Sequence, residues 1–343
     1  MNKAPTSRNS SASSDGAWTV VGIIVALAIP LFLTLSTVVD PGELIIRSPN
    51  PTPYGYTWSL GLFVVPLAVL VYWLHRTPGF HLPRRAFWRT IGGLSALGLL
   101  LDIALGHTFF RFPNAKATLE VFVWSVDLAS GDLRQIVPIE EFGFYFFGVA
   151  FTLVLYIWSD LHWFGLYSSP DRAKLPPRGA RVRLDPRAIL LGGALIGCAF
   201  AYKKLASSVP DGFPGYFAFL VIFALIPACS VLHAVRDRVN WRAFSFAMLV
   251  NLTISTWWEA TVAFPYQWWT YRDEMMIGVF IKAWNGLPLE EPLLWLLVSF
   301  TTVLTFEASL LDLLGKRSAA EMRFVASGHT RPGAQDIDLL GEP

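Results

Sequence analysis

The sequence predicts an all-α fold: a polytopic membrane helix bundle of about eight transmembrane helices, arranged as two parallel four-helix repeats. The composition is the first reason, because 54% of the 343 residues are hydrophobic and only 15% are charged. Apolar stretches of about 20 residues, long enough to cross a bilayer as helices, also recur along the chain. The third reason is a Pro-x-Glu-Glu motif that occurs once in each half.

Eight apolar stretches are the candidate spans. The fifth and sixth are the least regular, because Lys203 and Lys204 and a turn between Pro210 and Pro214 interrupt them. The first is too long for the core of a signal peptide and has no evident cleavage site, so we expect it to remain. The predicted spans are 17–39, 57–75, 88–110, 138–159, 188–208, 213–234, 241–264 and 287–314.

The order of features is the same in both halves. In each half a helix that contains a proline, Pro66 or Pro227, is followed by a helix that opens with Trp-Arg and carries an acid, and then by Pro-x-Glu-Glu. Four helices per half is an even number, so both halves share one orientation, as in parallel transporter repeats. The sequence thus predicts a disordered tail (1–16), a first repeat (17–165), a basic linker (166–187), a second repeat (188–315) and a loose tail (316–343).

The charge distribution predicts the orientation. Lysine and arginine number 19 on the side of the N-terminus and 8 on the other side, so both termini should be cytosolic. A net charge of +2 gives no reason to expect a nucleic-acid partner. Cys198 and Cys229 both lie in predicted spans, which excludes a disulfide framework.

Six acids are the candidate catalytic residues. Glu140 and Glu141 follow Pro138-Ile139, and Glu290 and Glu291 follow Pro288-Leu289, each at the start of a span. Such acids can simply cap helices, because proline and acids both suit a first helical turn. Two copies in so apolar a chain favour a functional role over simple capping, since acids inside membranes usually mark functional sites.

Two further acids, Asp102 and Glu259, lie in the later part of helices that run towards the same side. All six acids should therefore lie in the outer half of the membrane. Adjacent helical residues point about 100° apart, so one glutamate of each pair can face the interior, and the sequence does not decide which. Paired carboxyl groups in different environments can act as proton donor and acceptor.

Aromatic residues near these acids are the candidate substrate-binding residues. Aromatic faces stabilise cations, although tryptophan and tyrosine are also common at membrane interfaces. The candidates are Trp258, Trp268, Trp269, Tyr271, Phe144 and Tyr145.

The absence of several motifs narrows the classes of reaction to be expected. No Gly-x-Gly-x-x-Gly string follows a strand, no histidine cluster of the di-iron type occurs, and no Asp-rich diphosphate-binding motif is found. We therefore expect no cofactor and no metal, and proton chemistry on an apolar substrate.

The two Pro-x-Glu-Glu regions resemble the membrane-integral lycopene cyclases, both the two-subunit type of actinobacteria and myxobacteria and the fused type of archaea and fungi. The string from Pro138 to Phe147, with aromatic residues after the two glutamates, is similar to the family's motif. The second half has Trp269-Thr270-Tyr271, then Gly278, then Leu287-Pro288-Leu289-Glu290-Glu291 in the family's order. It departs from the pattern at Pro292, where the family usually has an aromatic residue, and the first half has Phe109-Phe110-Arg111-Phe112 in place of Trp-x-Tyr.

The resemblance implies a carotenoid cyclase, an isomerase that closes the linear end group of an apolar polyene without redox change, in a bacterial inner membrane. It implies a polyene or other isoprenoid substrate and the lipid bilayer as partners. A carotenoid hydratase, a cyclase of another polyprenoid, and a transporter or non-enzymatic lipid-binding protein are the alternatives. The sequence leaves open the oligomeric state, the ring isomer and which glutamate gives the proton.

Overall fold

The computed structural model describes residues 52–128, 130–168 and 184–326, together with Val25 and Ile29, and side chains as far as residue 313. Apart from those two residues, the predicted span 17–39 lies outside the described residues, as do the N-terminal tail and most of the basic linker. The predicted domain limits at these places are therefore not tested.

The described chain is mostly helical. Six helices are long and apolar enough to span a membrane, which confirms six of the predicted spans as helices. A seventh helix, α6, is not among these six and corresponds to the predicted span 241–264. The helices are α1 Gly55–Arg76, α2 Arg84–Phe109, α3 Glu140–His162, α4 Pro186–Leu205, α5 Gly215–Val235, α6 Trp241–Trp258 and α7 Glu290–Ala326.

The last helix runs further than expected. It continues through Ala326, into the segment that was predicted to be a loose tail. Ala319, Ala320, Glu321 and Met322 all have high helix propensity, which accounts for the continuation.

Side-chain caps start two of the helices. Asp185 accepts a hydrogen bond from the backbone N–H of Arg187 at 2.9 Å, and Pro186 occupies the first helical position of α4. Asn240 accepts one from the backbone N–H of Ala243 at the start of α6.

Two π-helical turns interrupt the regular helices. One, Val221–Leu225, lies within α5 just before Pro227, which has no N–H to donate to the preceding turn. The other, Glu259–Ala263, extends α6 and begins at a candidate catalytic acid. Turns of this kind are frequent at functional sites.

Three two-stranded antiparallel sheets, which the all-α prediction did not include, lie in the loops at one end of the bundle. We call this the sheet end. Two of the sheets lead directly into the Pro-x-Glu-Glu helices, and the third joins the loops that follow α2 and α6. The pairs are β1 Phe110–Arg111 with β4 Thr270–Tyr271, β2 Phe122–Val126 with β3 Leu133–Pro138, and β5 Phe280–Ile281 with β6 Leu287–Pro288.

A partly buried ion pair crosses the sheet end. The Arg272 guanidinium lies 2.7 Å from the Asp127 carboxylate, and the backbone N–H of Arg272 donates to the carbonyl of Phe109. Arg272 also donates to Glu274 at 2.8 Å. Partial burial works to raise the pKa of Glu274, but the hydrogen bond from Arg272, a backbone hydrogen bond and the charges of Arg272 and Arg111 together hold that pKa below its ordinary value. These contacts tie the loop after α6 to the β2–β3 hairpin.

The two helices that open with Pro-x-Glu-Glu are central. Helix α3 packs against α1, α2, α6 and α7, and it is the most deeply buried of the six spans. Helix α7 packs against α2, α5 and α6 as well. Both motifs are therefore held inside the bundle at the sheet end.

Candidate functional site

The two Pro-x-Glu-Glu motifs make the same backbone contacts. The N–H of Ile139 donates to the carbonyl of Val121 at 2.8 Å, and the N–H of Leu289 donates to the carbonyl of Val279 at 2.9 Å. In both cases the residue between proline and glutamate is bonded to the residue just before the strand that pairs with the motif. The first turns of α3 and α7 are thus oriented alike.

The first glutamate of each motif binds that same strand segment. Glu140 Oε1 accepts from the N–H of Leu119 at 2.7 Å, and Glu290 Oε1 accepts from the N–H of Ile277 at 2.5 Å. Each donor lies two residues before the residue whose carbonyl binds the motif's backbone. Glu140 also accepts from the hydroxyl of Thr57 at 2.6 Å. Both side chains are buried, and neither lines the cavity described next.

The second glutamate of each motif faces a cavity of about 160 Å³. Glu141 and Glu291 line it together with Asp102 and Glu259. Asp102, Glu259 and Glu291 are buried, and Glu141 is half-buried. The question that the sequence left open is answered: Glu141 and Glu291 face the interior of the bundle. Four of the six predicted acids meet in one cavity, and Glu140 and Glu290 lie behind it.

A tyrosine accompanies each cavity glutamate. The Tyr56 hydroxyl, at the start of α1, donates to Glu141 Oε1 at 2.5 Å. Tyr216, at the start of α5, lies beside Glu291. Both tyrosines are almost fully buried and line the cavity.

The other two acids also have corresponding partners. Tyr145, one helical turn after Glu141, lies beside Asp102. Trp295, one turn after Glu291, donates from Nε1 to Glu259 Oε1 at 2.8 Å. Side chains four residues apart share one face of a helix, so each motif supplies both a glutamate and an aromatic partner.

The two halves of the cavity are not identical. Glu291 lies directly beside Glu259 and Tyr271, whose hydroxyl also accepts a hydrogen bond from Trp269 Nε1 at 2.8 Å. Two carboxyl groups in contact can share one proton, as two charges there would repel. Glu141, by contrast, receives the Tyr56 hydroxyl hydrogen bond.

Three carboxyl oxygens face the cavity region without a hydrogen-bond partner among the described residues. They are Asp102 Oδ2, Glu259 Oε2 and Glu291 Oε1. Buried polar atoms are nearly always paired, and a proton shared between Glu259 and Glu291 would pair two of these three oxygens. Within the same described part of the chain, no group of three or more His, Cys, Asp or Glu is placed to hold a metal ion.

The cavity wall is otherwise mainly apolar and aromatic. Along α2 it reaches from Phe109 to Leu94, which is about 22 Å at the rise of a helix. Along α7 it reaches from Glu291 to Thr302, roughly 16 Å. Glu141, Glu259 and Glu291 therefore lie towards the sheet end of an elongated apolar space, and Asp102 lies along its α2 wall.

Only some of the predicted aromatic residues line the cavity. Phe144, Tyr145 and Trp269 line the cavity, whereas Trp258, Trp268 and Tyr271 do not.

Trp258 and Trp268 form a layer behind the cavity wall. The Trp258 ring lies 5.1 Å from that of Trp269 and 6.0 Å from that of Phe144, measured between centroids. The ring of Trp268 stacks on Tyr56, and its Nε1 donates to the Thr52 hydroxyl at 2.7 Å. Both support side chains that reach the cavity.

Sequence reasoning missed three cavity residues that lie beside the acids: Tyr56, Tyr216 and Trp295. A signal was present for each. Tyr56 and Tyr216 occupy corresponding places in Gly-Tyr strings, and Trp295 stands one turn after Glu291. Comparisons of the chain with protein-family models, curated proteins and solved structures give no match.

Proposed function

We propose that this protein is a carotenoid (lycopene-type) cyclase that closes the linear end group of an apolar polyene by acid–base chemistry without a cofactor. One observation carries the proposal: four carboxyl groups, those of Asp102, Glu141, Glu259 and Glu291, line one apolar, aromatic cavity within a bundle of membrane-length helices. Carboxyl groups in such a place are suited to giving and taking protons.

We also propose that the two halves are parallel repeats of four helices. The support comes from matched contacts, because Glu140 and Glu290 bind corresponding backbone N–H groups, and the motif backbones bind corresponding carbonyls. The strands β1 and β4, which follow the two acid-bearing helices, pair with one another. The excess of lysine and arginine on one side places both termini in the cytosol under this arrangement.

The proposed reaction begins with transfer of a carboxyl proton to the terminal carbon–carbon double bond, which leaves a tertiary cation. The neighbouring double bond attacks that cation, forming the ring carbon–carbon bond and moving the positive charge into the ring. A carboxylate then removes a ring proton and a new double bond forms. Substrate and product have the same mass, and no electron acceptor is needed.

We assign the donor role to the Glu259–Glu291 pair and the acceptor role to Glu141. The pair can hold one proton between two adjacent carboxyl groups. The hydrogen bond from Tyr56 stabilises the ionised form of Glu141. Asp102 lies beside Tyr145 and orients the acceptor side.

The cavity wall would protect the cation. Carboxylic acids protonate alkenes poorly, so preorganised charge and aromatic faces must stabilise the transition state. Phe144, Trp269 and Trp295 offer such faces. An apolar enclosure also keeps out water, which would convert the cation to an alcohol.

The test is pigment analysis in a host that makes lycopene, with Glu141→Gln and Glu291→Gln compared with the unaltered protein. Glutamine keeps the shape but can neither give nor take the proton, so we expect losses of roughly a hundredfold or more in cyclic product. The unaltered protein should give products of unchanged mass with one or two rings.

Glu140→Gln and Glu290→Gln are the matched controls. A glutamine oxygen can still accept from the N–H groups of Leu119 and Ile277, so these variants should keep most of the activity. A product heavier by one water would favour the hydratase. Lycopene left unchanged by well-expressed protein would contradict the proposal and favour another polyprenoid or a non-enzymatic role.

A further inference from the structure

We propose that the long tail of the polyene lies in a groove between α2 and α5, with α7 as its floor, and that the substrate reaches the acids sideways from the bilayer. The identity of the ligand rests on the proposed function, whereas the groove itself rests on the following geometry.

The groove has a mouth on the outside of the bundle. Leu97 on α2 and Phe223 on α5 both line the cavity, yet they are 40% and 41% exposed. Residues that belong to a cavity and also to the outer surface mark the place where the two meet. Leu294 and Val298 of α7 line the cavity too, and α7 packs against both flanking helices.

The surface around the mouth is apolar. Leu100 on α2 and Ile222 on α5 are 62% and 47% exposed, and neither lines the cavity. Both belong to helices long enough to cross the bilayer. A molecule that enters here comes from the hydrocarbon, which is where a polyene dissolves.

The groove is closed at the sheet end. The ring centroids of Phe109 and Phe219 are 5.5 Å apart, and those of Phe110 and Tyr216 are 5.1 Å apart, so aromatic contacts join α2 to α5 there. Strands β1 and β4 and the Arg272–Asp127 ion pair lie in the loops at this end. The sheet end is therefore obstructed towards the aqueous phase, whereas the lateral path to the bilayer is open.

The position of the acids fits an end-first approach. Asp102 lies five residues beyond Leu97 on α2, about 8 Å nearer the sheet end. A linear chain that enters at the mouth and moves towards the sheet end brings its end group to the carboxyl groups, while the rest of the chain stays in the groove or the lipid.

The test uses the full chain in lipid nanodiscs with lycopene dissolved in the same lipid. Leu97→Trp and Ala224→Trp narrow the mouth, because both residues line the cavity. Leu100→Trp and Ile222→Trp place the same side chain on the same helices, facing the lipid. Two quantities are measured: lycopene bound per protein, from its absorbance, and the initial rate of conversion.

We expect the two mouth variants to lose roughly tenfold in both quantities and the two controls to stay within about twofold of the unaltered protein. If size-exclusion chromatography shows that a tryptophan variant does not fold, Leu97→Phe replaces it. This smaller change should give an intermediate loss of binding and of conversion.

Binding and conversion together distinguish a failure of the proposed groove from a failure of the proposed cyclase function. Mouth variants that bind and convert lycopene like the controls would overturn the groove and leave the cyclase intact. Lycopene binding that is lost only in the mouth variants, with no product from any protein, would support the groove and contradict the cyclase. Unaltered protein that binds no lycopene would overturn the groove.

Discussion

At the scale of single residues, the two glutamates of each motif have different surroundings although they are neighbours in sequence. Glu140 and Glu290 bind backbone N–H groups, and Glu141 and Glu291 face the cavity. The rotation of about 100° between adjacent helical residues makes this division possible. The backbone contact of the first glutamate fixes the start of the helix. This in turn sets the direction in which the second glutamate points.

The hydrogen bond from Tyr56 to Glu141 is open to a direct test. Tyr56→Phe removes only the hydroxyl, and a hydrogen bond to a charged group contributes about 1.5–3 kcal/mol, so turnover should fall by roughly ten- to a hundredfold. Tyr54→Phe, at an exposed tyrosine two residues away, is the control and should leave the rate unchanged. Equal rates for both variants, measured as initial conversion in nanodiscs, would refute the role of Tyr56.

The acids could be predicted from sequence because a buried carboxyl group is rare in so apolar a chain. Which glutamate faces the cavity could not, because it depends on where Leu119 and Ile277 present their N–H groups. Trp258 and Trp295 likewise show that the sequence does not reveal which of two similar residues faces the cavity. Both are buried tryptophans near an acid, and only Trp295 lines the cavity.

At the scale of elements, α2 and α3 approach closely enough to place Tyr145 beside Asp102. Gly98 allows this, because a Cβ atom there would come within 2.5 Å of the Tyr145 ring. A methyl group at this position would force the tyrosine away from the cavity. The glycine is thus part of the arrangement that positions Tyr145 beside Asp102.

Gly98→Ala should therefore reduce turnover by roughly tenfold, since Tyr145 must shift within a close-packed interior. Gly93→Ala is the matched control on the same helix, because nothing lies within 4 Å of a Cβ atom there. The measurement is conversion per folded protein, with folding checked by thermal unfolding. Equal activity of the two alanine variants would show that the contact does not position Tyr145.

The helices were easier to predict than the strands. The predicted spans 57–75 and 213–234 differ by only one or two residues at each end from α1 and α5, because length and hydropathy determine such segments. Strands β1, β4, β5 and β6 have two residues each, too short for a periodic pattern. Their pairing depends on the approach of distant loops, which the sequence does not reveal.

At the scale of the whole molecule, one cavity draws its acids from both halves. Asp102 and Glu141 come from α2 and α3, and Glu259 and Glu291 come from the π-turn after α6 and from α7. Neither half holds the full set, so the proposed chemistry belongs to the complete bundle. The order of features in the sequence suggested such a meeting, but the contact between Glu259 and Glu291 required the structure.

The central claim is that a carboxyl proton is added to carbon while another proton is removed. Its most direct test is conversion of lycopene by the purified protein in nanodiscs prepared in D₂O, with the products weighed by mass spectrometry after return to ordinary water. Exchange with solvent loads the carboxyl groups with deuterium, so each ring formed should retain one deuterium on carbon and add no oxygen. A cyclic product without deuterium, or a product that has gained the elements of water, would contradict the account.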